Sequence, residues 1–86
     1  MTPFWPEGKP LDLRVGEGEQ PTSFKAGGRT HRVTGISRQW RVHTAWWREG
    51  GVVQRQYWEL TTDTEYMCVL YFDVWRQAWF MERVWK

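Results

Sequence analysis

Two kinds of chemistry are open to the side chains of this 86-residue chain, and they draw on different residues. The first is nucleophilic or metal chemistry, for which the inventory is Cys68, His31 and His43. A thiol paired with an imidazole makes a nucleophile, and four such ligands make a zinc site. Here there is one cysteine, and the two histidines cannot complete a four-ligand set with it in any usual spacing. Cys68 also sits within Tyr66-Met67-Cys68-Val69-Leu70-Tyr71-Phe72, the most apolar run of the chain, where a buried and inert thiol is the expectation. The ten carboxylates are scattered, and no pair is spaced for acid–base work. Gly27-Gly28 and Gly50-Gly51 fall between strand-like runs and read as turns, unlike the glycine loops that cradle phosphates. No enzyme activity, no cofactor and no metal is expected.

The second chemistry belongs to arginine and tryptophan. Arg38, Trp40, Arg41, Trp46, Trp47 and Arg48 lie within eleven residues, with Arg29, Arg32 and Arg55 on either side. Arginine contacts phosphates and stacks through its planar guanidinium, while tryptophan offers a face to a base. Net charge is only +2, but residues 20–57 carry seven basic residues against Glu49 alone, between two mildly acidic ends. These nine residues form the candidate nucleic-acid site. Trp46 and Trp47 are adjacent, so on an extended strand they face opposite sides and one of them points outward.

Eight tryptophans in so short a chain must also fill a core, since no disulfide can form. Trp58, Trp79 and Trp85 are assigned to packing. Exposed Trp and Arg are equally the anchors of protein interfaces. A second reading is therefore an adaptor that docks a repair or replication factor through the same Trp46-Trp47 surface. The two readings differ in salt dependence, because phosphate contacts weaken steeply with ionic strength and an aromatic groove does not.

The elements that must position these residues read as strands. Residues 1–10 hold three of the four prolines and are expected as an extended, irregular arm before a single domain over residues 11–86. Leu11–Val15 alternates apolar and polar residues as a short strand. Thr22–Ala26 and Arg29–Ile36 flank Gly27-Gly28 as a hairpin, with Phe24, Val33 and Ile36 inward and Gly35 marking a bulge or bend. Residues 37–47 alternate as a strand, with Arg38, Trp40 and Val42 opposite Gln39, Arg41 and His43. The spacing of Ile36, Trp40 and Trp47 also suits a short helix; an extended, bent segment is the expectation. Glu49-Gly50-Gly51 reads as a turn. Val52–Thr62 is a long strand with Gln54, Gln56, Trp58 and Leu60 on one side. Tyr66–Phe72, apolar on both faces, is the central strand. Ala78–Trp85 closes the sheet, with Trp79, Met81 and Trp85 on one side and Phe80 and Val84 on the other.

Consecutive antiparallel strands with short turns make a meander. The expected fold is all-β, a small antiparallel meander closing into an SH3-like or similar barrel, because closure removes edges that such aromatic strands could not leave open. No run approaches the ~20 apolar residues of a membrane span. The unpaired cysteine and the lack of a signal-like start point to the cytoplasm.

With these motifs placed, the chain resembles an uncharacterised bacterial domain family found as small stand-alone proteins and as C-terminal tails of some Y-family, translesion-type DNA polymerase proteins. The resemblance runs over residues 21–86, through Pro21-Thr22-Ser23-Phe24, Gly28-Arg29-Thr30-His31-Arg32-Val33, Ile36, Trp40, Trp46-Trp47, Tyr57-Trp58-Glu59-Leu60-Thr61 and Trp79-Phe80-Met81-Glu82-Arg83-Val84-Trp85. It implies a DNA-transaction setting, with a DNA polymerase or repair protein as a partner, and carries over no site residues. The expectation is a non-catalytic accessory module that binds nucleic acid, single-stranded by preference.

Overall fold

The computed structural model describes residues 4–45 and 52–85. Six strands follow one another: β1 (Phe4–Val15), β2 (Pro21–Ala26), β3 (Arg29–Ala45), β4 (Val52–Thr62), β5 (Met67–Asp73) and β6 (Ala78–Trp85). Each pairs antiparallel with the next, and β1 pairs with β6, so the meander closes into a barrel. A short 3-10 turn, Glu17–Glu19, joins β1 to β2. Among the described residues no helix is long and apolar enough to cross a membrane.

The irregular arm expected over residues 1–10 is corrected from Phe4 onward, because these residues form the first half of β1. Pro10 pairs with Phe80 and Lys9 with Met81, and a register shift between Phe4 and Lys9 absorbs the segment that looked irregular. Proline is tolerated there because a bulged strand does not need every backbone donor. Gly8, at φ +79°, lies over Tyr71 and Phe80 of the neighbouring strands, where a side chain would collide.

Strand β3 decides which face each candidate residue takes. Two irregularities interrupt its pairing with β4, at Thr34 and at Ser37. Each adds one residue and flips the alternation that follows. Val33 and Ile36 therefore both pack inward although they are three apart. Beyond Ser37, Gln39, Arg41 and His43 pair with inward-facing Trp58, Gln56 and Gln54, while Arg38, Trp40 and Val42 face out. The strand runs unbroken to Ala45, and the helical alternative for this stretch is not adopted. The expected turn at Glu49-Gly50-Gly51 lies outside the described residues.

Two apolar clusters sit on opposite faces of the sheet. The barrel interior holds Phe24, Trp58, Leu60, Cys68, Leu70 and Met81. The second cluster, Tyr57, Val69, Tyr71 and Phe80, lies on the outside of β4–β6 with Trp40, Val42 and Trp85 against it. This is why β5 is apolar on both faces. One facing assignment is corrected: Val84 packs with the interior cluster and Trp85 with the outer one. The cause is a bulge at Glu82, since Val69 pairs with Arg83 but Leu70 with Met81.

Candidate binding concavity

The long hairpin of β3 and β4 extends beyond the closed part of the barrel, and its inner face is polar. Gln39, Arg41 and His43 of β3 stand beside Gln54 and Gln56 of β4. Interior positions of a barrel this small are normally filled by apolar side chains. Five polar residues in a row there mean that this end is open to solvent. Together they wall a concavity of about 720 Å³ at the barrel mouth. Its aromatic side is Trp58, Phe72 and Trp79, and its far wall is Val15, Gly18 and Glu19 of the β1–β2 connection. Val74 and Gln77 of the β5–β6 turn complete the lip.

Arg41 is exposed and donates from Nε to Gln56 Oε1 at 2.9 Å, which aligns the guanidinium along the wall. It has no acidic partner among the described residues, so its charge is available to an anion. Trp58 packs on Trp79 with ring centroids 4.9 Å apart and is 6 % exposed. Its indole Nε1–H, buried, has no hydrogen-bond partner among the described residues.

Three hydrogen bonds hold the β5–β6 turn beside this mouth. Asp73 Oδ1 accepts from the Arg76 amide at 3.0 Å, Gln77 Nε2 donates to the Val74 carbonyl at 2.6 Å, and the Val74 amide donates to the Gln54 carbonyl at 3.0 Å. At the tip stands Trp75, 68 % exposed.

The described residues among the nine proposed from sequence do not share one surface. Arg41 lies in the concavity. Arg38, Trp40 and Arg55 lie on the outer face, Arg55 also bordering the concavity, and they are engaged: Arg38 pairs with Glu59 at 3.4 Å, and Arg55 pairs with Asp73 at 3.4 Å and donates to the Tyr57 hydroxyl. Arg32 is exposed on the outer face of β3, its amide held by Asp63 Oδ1. Arg29 is at the opposite mouth, beside a smaller cavity of about 400 Å³ lined mainly by apolar residues. Trp46, Trp47 and Arg48 lie outside the described residues.

Gln39, His43, Gln54, Gln56 and Trp75 were missed as candidates. The signal for the glutamines was present, because Gln54 and Gln56 keep strict phase with Trp58 and Leu60, and polar residues in phase with a core mark an open end.

Cys68 and His31 both border the smaller cavity. Burial pushes the Cys68 thiol up to about 12, so it holds its proton. His31 is stacked on Phe24 and shares a hydrogen bond of 2.7 Å between its Nδ1 and the Thr64 hydroxyl. Neither group is set up as a nucleophile or its base. Among the described residues no three His, Cys, Asp or Glu side chains gather as a metal site. No family model, curated protein or solved structure matches the chain.

Proposed function

We propose that the domain is a non-catalytic accessory module that binds nucleic acid, single-stranded by preference. The observation that carries this reading is the concavity: an aromatic side formed by Trp58, Phe72 and Trp79, amide walls, and Arg41 without an acidic partner at its edge. Single-strand binders combine a basic track for the backbone with aromatic faces for bases. Arg41 and the exposed Arg32 and Arg14 supply positive charge, and Trp75 supplies an exposed ring beside the mouth. The resemblance of residues 21–86 to a domain carried by translesion-type polymerases favours a repair or replication setting, in a reducing cytoplasm that suits the unpaired Cys68.

The test is a titration of intrinsic tryptophan fluorescence with a ten-nucleotide deoxythymidine strand at low and high salt. Quenching that fades as salt rises supports phosphate contact with stacking on tryptophan. Arg41→Glu should weaken that binding at least about tenfold while the fold persists, because it reverses a charge at the mouth. No quenching at either salt would remove the nucleic-acid reading. Capture of a repair protein with equal affinity at both salts would replace it with the adaptor reading.

A further inference from the structure

The geometry points to a more specific role for the concavity: it takes one unstacked nucleobase, edge-on to Trp58, rather than serving only as a charged groove for the backbone. This inference rests on the nucleic-acid reading and adds what the site recognises. Three features lead to it. Neutral amides, Gln39, Gln54 and Gln56, make up much of the wall, and each both donates and accepts. A site for phosphate alone would place more cations there, yet among the described residues the arginines lining it are Arg41 and Arg55, and Arg55 is already paired with Asp73. Amides matched to a flat ring suit the mixed donor and acceptor edge of a base.

The second feature is the unpaired indole. A buried donor left without an acceptor costs ~1–3 kcal/mol, and native proteins rarely leave one without a reason. Trp58 carries this unpaired Nε1–H and is also a lining residue of the concavity. A base carbonyl or ring nitrogen reaching Trp58 would satisfy it. Gln39, the cross-strand neighbour of Trp58, is exposed at the same mouth.

The third feature is dimension and shape. A volume of about 720 Å³ is ample for a base and its sugar, and the openness of the mouth lets the backbone pass outside. Arg41 at the edge then meets the adjoining phosphate. Trp75 is exposed on the turn whose Val74 and Gln77 line the same mouth, which offers a ring to a neighbouring base.

The experiment compares two labelled ten-unit strands by fluorescence anisotropy with the full chain: oligodeoxythymidine and an abasic phosphodiester strand of equal length. The base-bearing strand should bind at least about tenfold more tightly, as expected when a base enters an aromatic site. Trp58→Phe keeps a ring but removes the donor. It should cut that preference about five- to tenfold, the worth of one buried hydrogen bond. Gln56→Leu, which removes a wall amide with less risk to the core, should lower the preference in the same direction. Equal binding of both strands by the wild type would overturn the base pocket while the nucleic-acid reading survives. A preference untouched by both Trp58→Phe and Gln56→Leu would place base recognition elsewhere and overturn it too. Failure of both strands to bind would instead remove the reading on which the inference rests.

Discussion

Trp40 lies flat on Tyr57, their ring centroids 5.2 Å apart and their planes within 4°. The stack continues across the sheet, from Tyr57 to Tyr71 at 5.0 Å and from Tyr71 to Phe80 at 5.5 Å. Guanidinium groups cover three of its rings: Arg38 over Trp40 at 4.9 Å, Arg55 over Tyr71 at 4.6 Å and Arg76 over Phe80 at 4.0 Å. The aromatic and basic residues of this face thus satisfy one another, in the combination that would otherwise serve a nucleic acid.

Trp40→Ala should therefore destabilise the domain by about 2–3 kcal/mol, from lost apolar burial and one aromatic stack. Arg38→Ala should cost less than about 1 kcal/mol, because its ion pair with Glu59 is well exposed. Urea unfolding of both variants checks the contrast. A Trp40→Ala domain of unchanged stability that binds oligonucleotide more weakly would return this face to the functional surface.

Alternation placed Gln54, Gln56, Trp58 and Leu60 on one face, and closure followed from the number of aromatic strands. What alternation cannot carry is the count across a bulge. Trp85 and Val84 exchanged faces because of one extra residue at Glu82, and nothing in that stretch announces it. The described candidate residues divide between the two faces for a related reason. Arg38, Trp40 and Arg41 lie within four residues, but strand geometry sends Arg41 inward and the other two outward. Whether an arginine is free or paired depends on Glu59 and Asp73, which approach only through cross-strand register.

Asp73 serves two partners at once, with Oδ2 on Arg55 and Oδ1 on the Arg76 amide. Asp73→Ala strips the part-buried Arg55 guanidinium of its carboxylate and loosens the turn that presents Trp75. A loss of about 3 kcal/mol is expected, as for the breaking of other buried ion pairs. Asp73→Asn keeps an acceptor for the turn and should cost distinctly less. Equal losses in the two variants, measured by urea unfolding, would show that the charge contributes nothing.

Gly8 and Gly27 separate two reasons for a glycine. Both have positive φ, +79° and +61°. At Gly27 a Cβ would meet nothing within 4 Å, so Gly27→Ala should cost only the left-handed backbone penalty, about 1–2 kcal/mol. At Gly8 the same atom would lie 2.8 Å from Phe80 Cβ and press on the Tyr71 hydroxyl. Gly8→Ala should therefore destabilise more than Gly27→Ala by thermal melting, and it should do so by disturbing the outer aromatic stack. Near-ultraviolet circular dichroism, sensitive to ring packing, should change for Gly8→Ala alone.

Alkaline pH should unfold this domain earlier than its charge would suggest. Burial pushes the Cys68 thiol up to about 12 from an ordinary value near 9.0. Burial also raises Tyr57 and Tyr71 above the ordinary phenol value, against the opposing pull of Arg55. Above about pH 9 the unfolded chain releases the Cys68 proton while the folded chain keeps it. The unfolded state then binds fewer protons, so stability falls as pH rises, by at most ~1.4 kcal/mol per pH unit for each such group. The tyrosines add to the slope about one unit higher. The urea midpoint should stay level through neutrality and decline from about pH 9, and Cys68→Ala should flatten the first part of that decline while lowering the baseline through lost packing. A thiol reagent at pH 8 should label native protein only as fast as the domain opens. Rapid labelling under native conditions, or a midpoint indifferent to alkali, would mean that Cys68 is not held in the barrel interior.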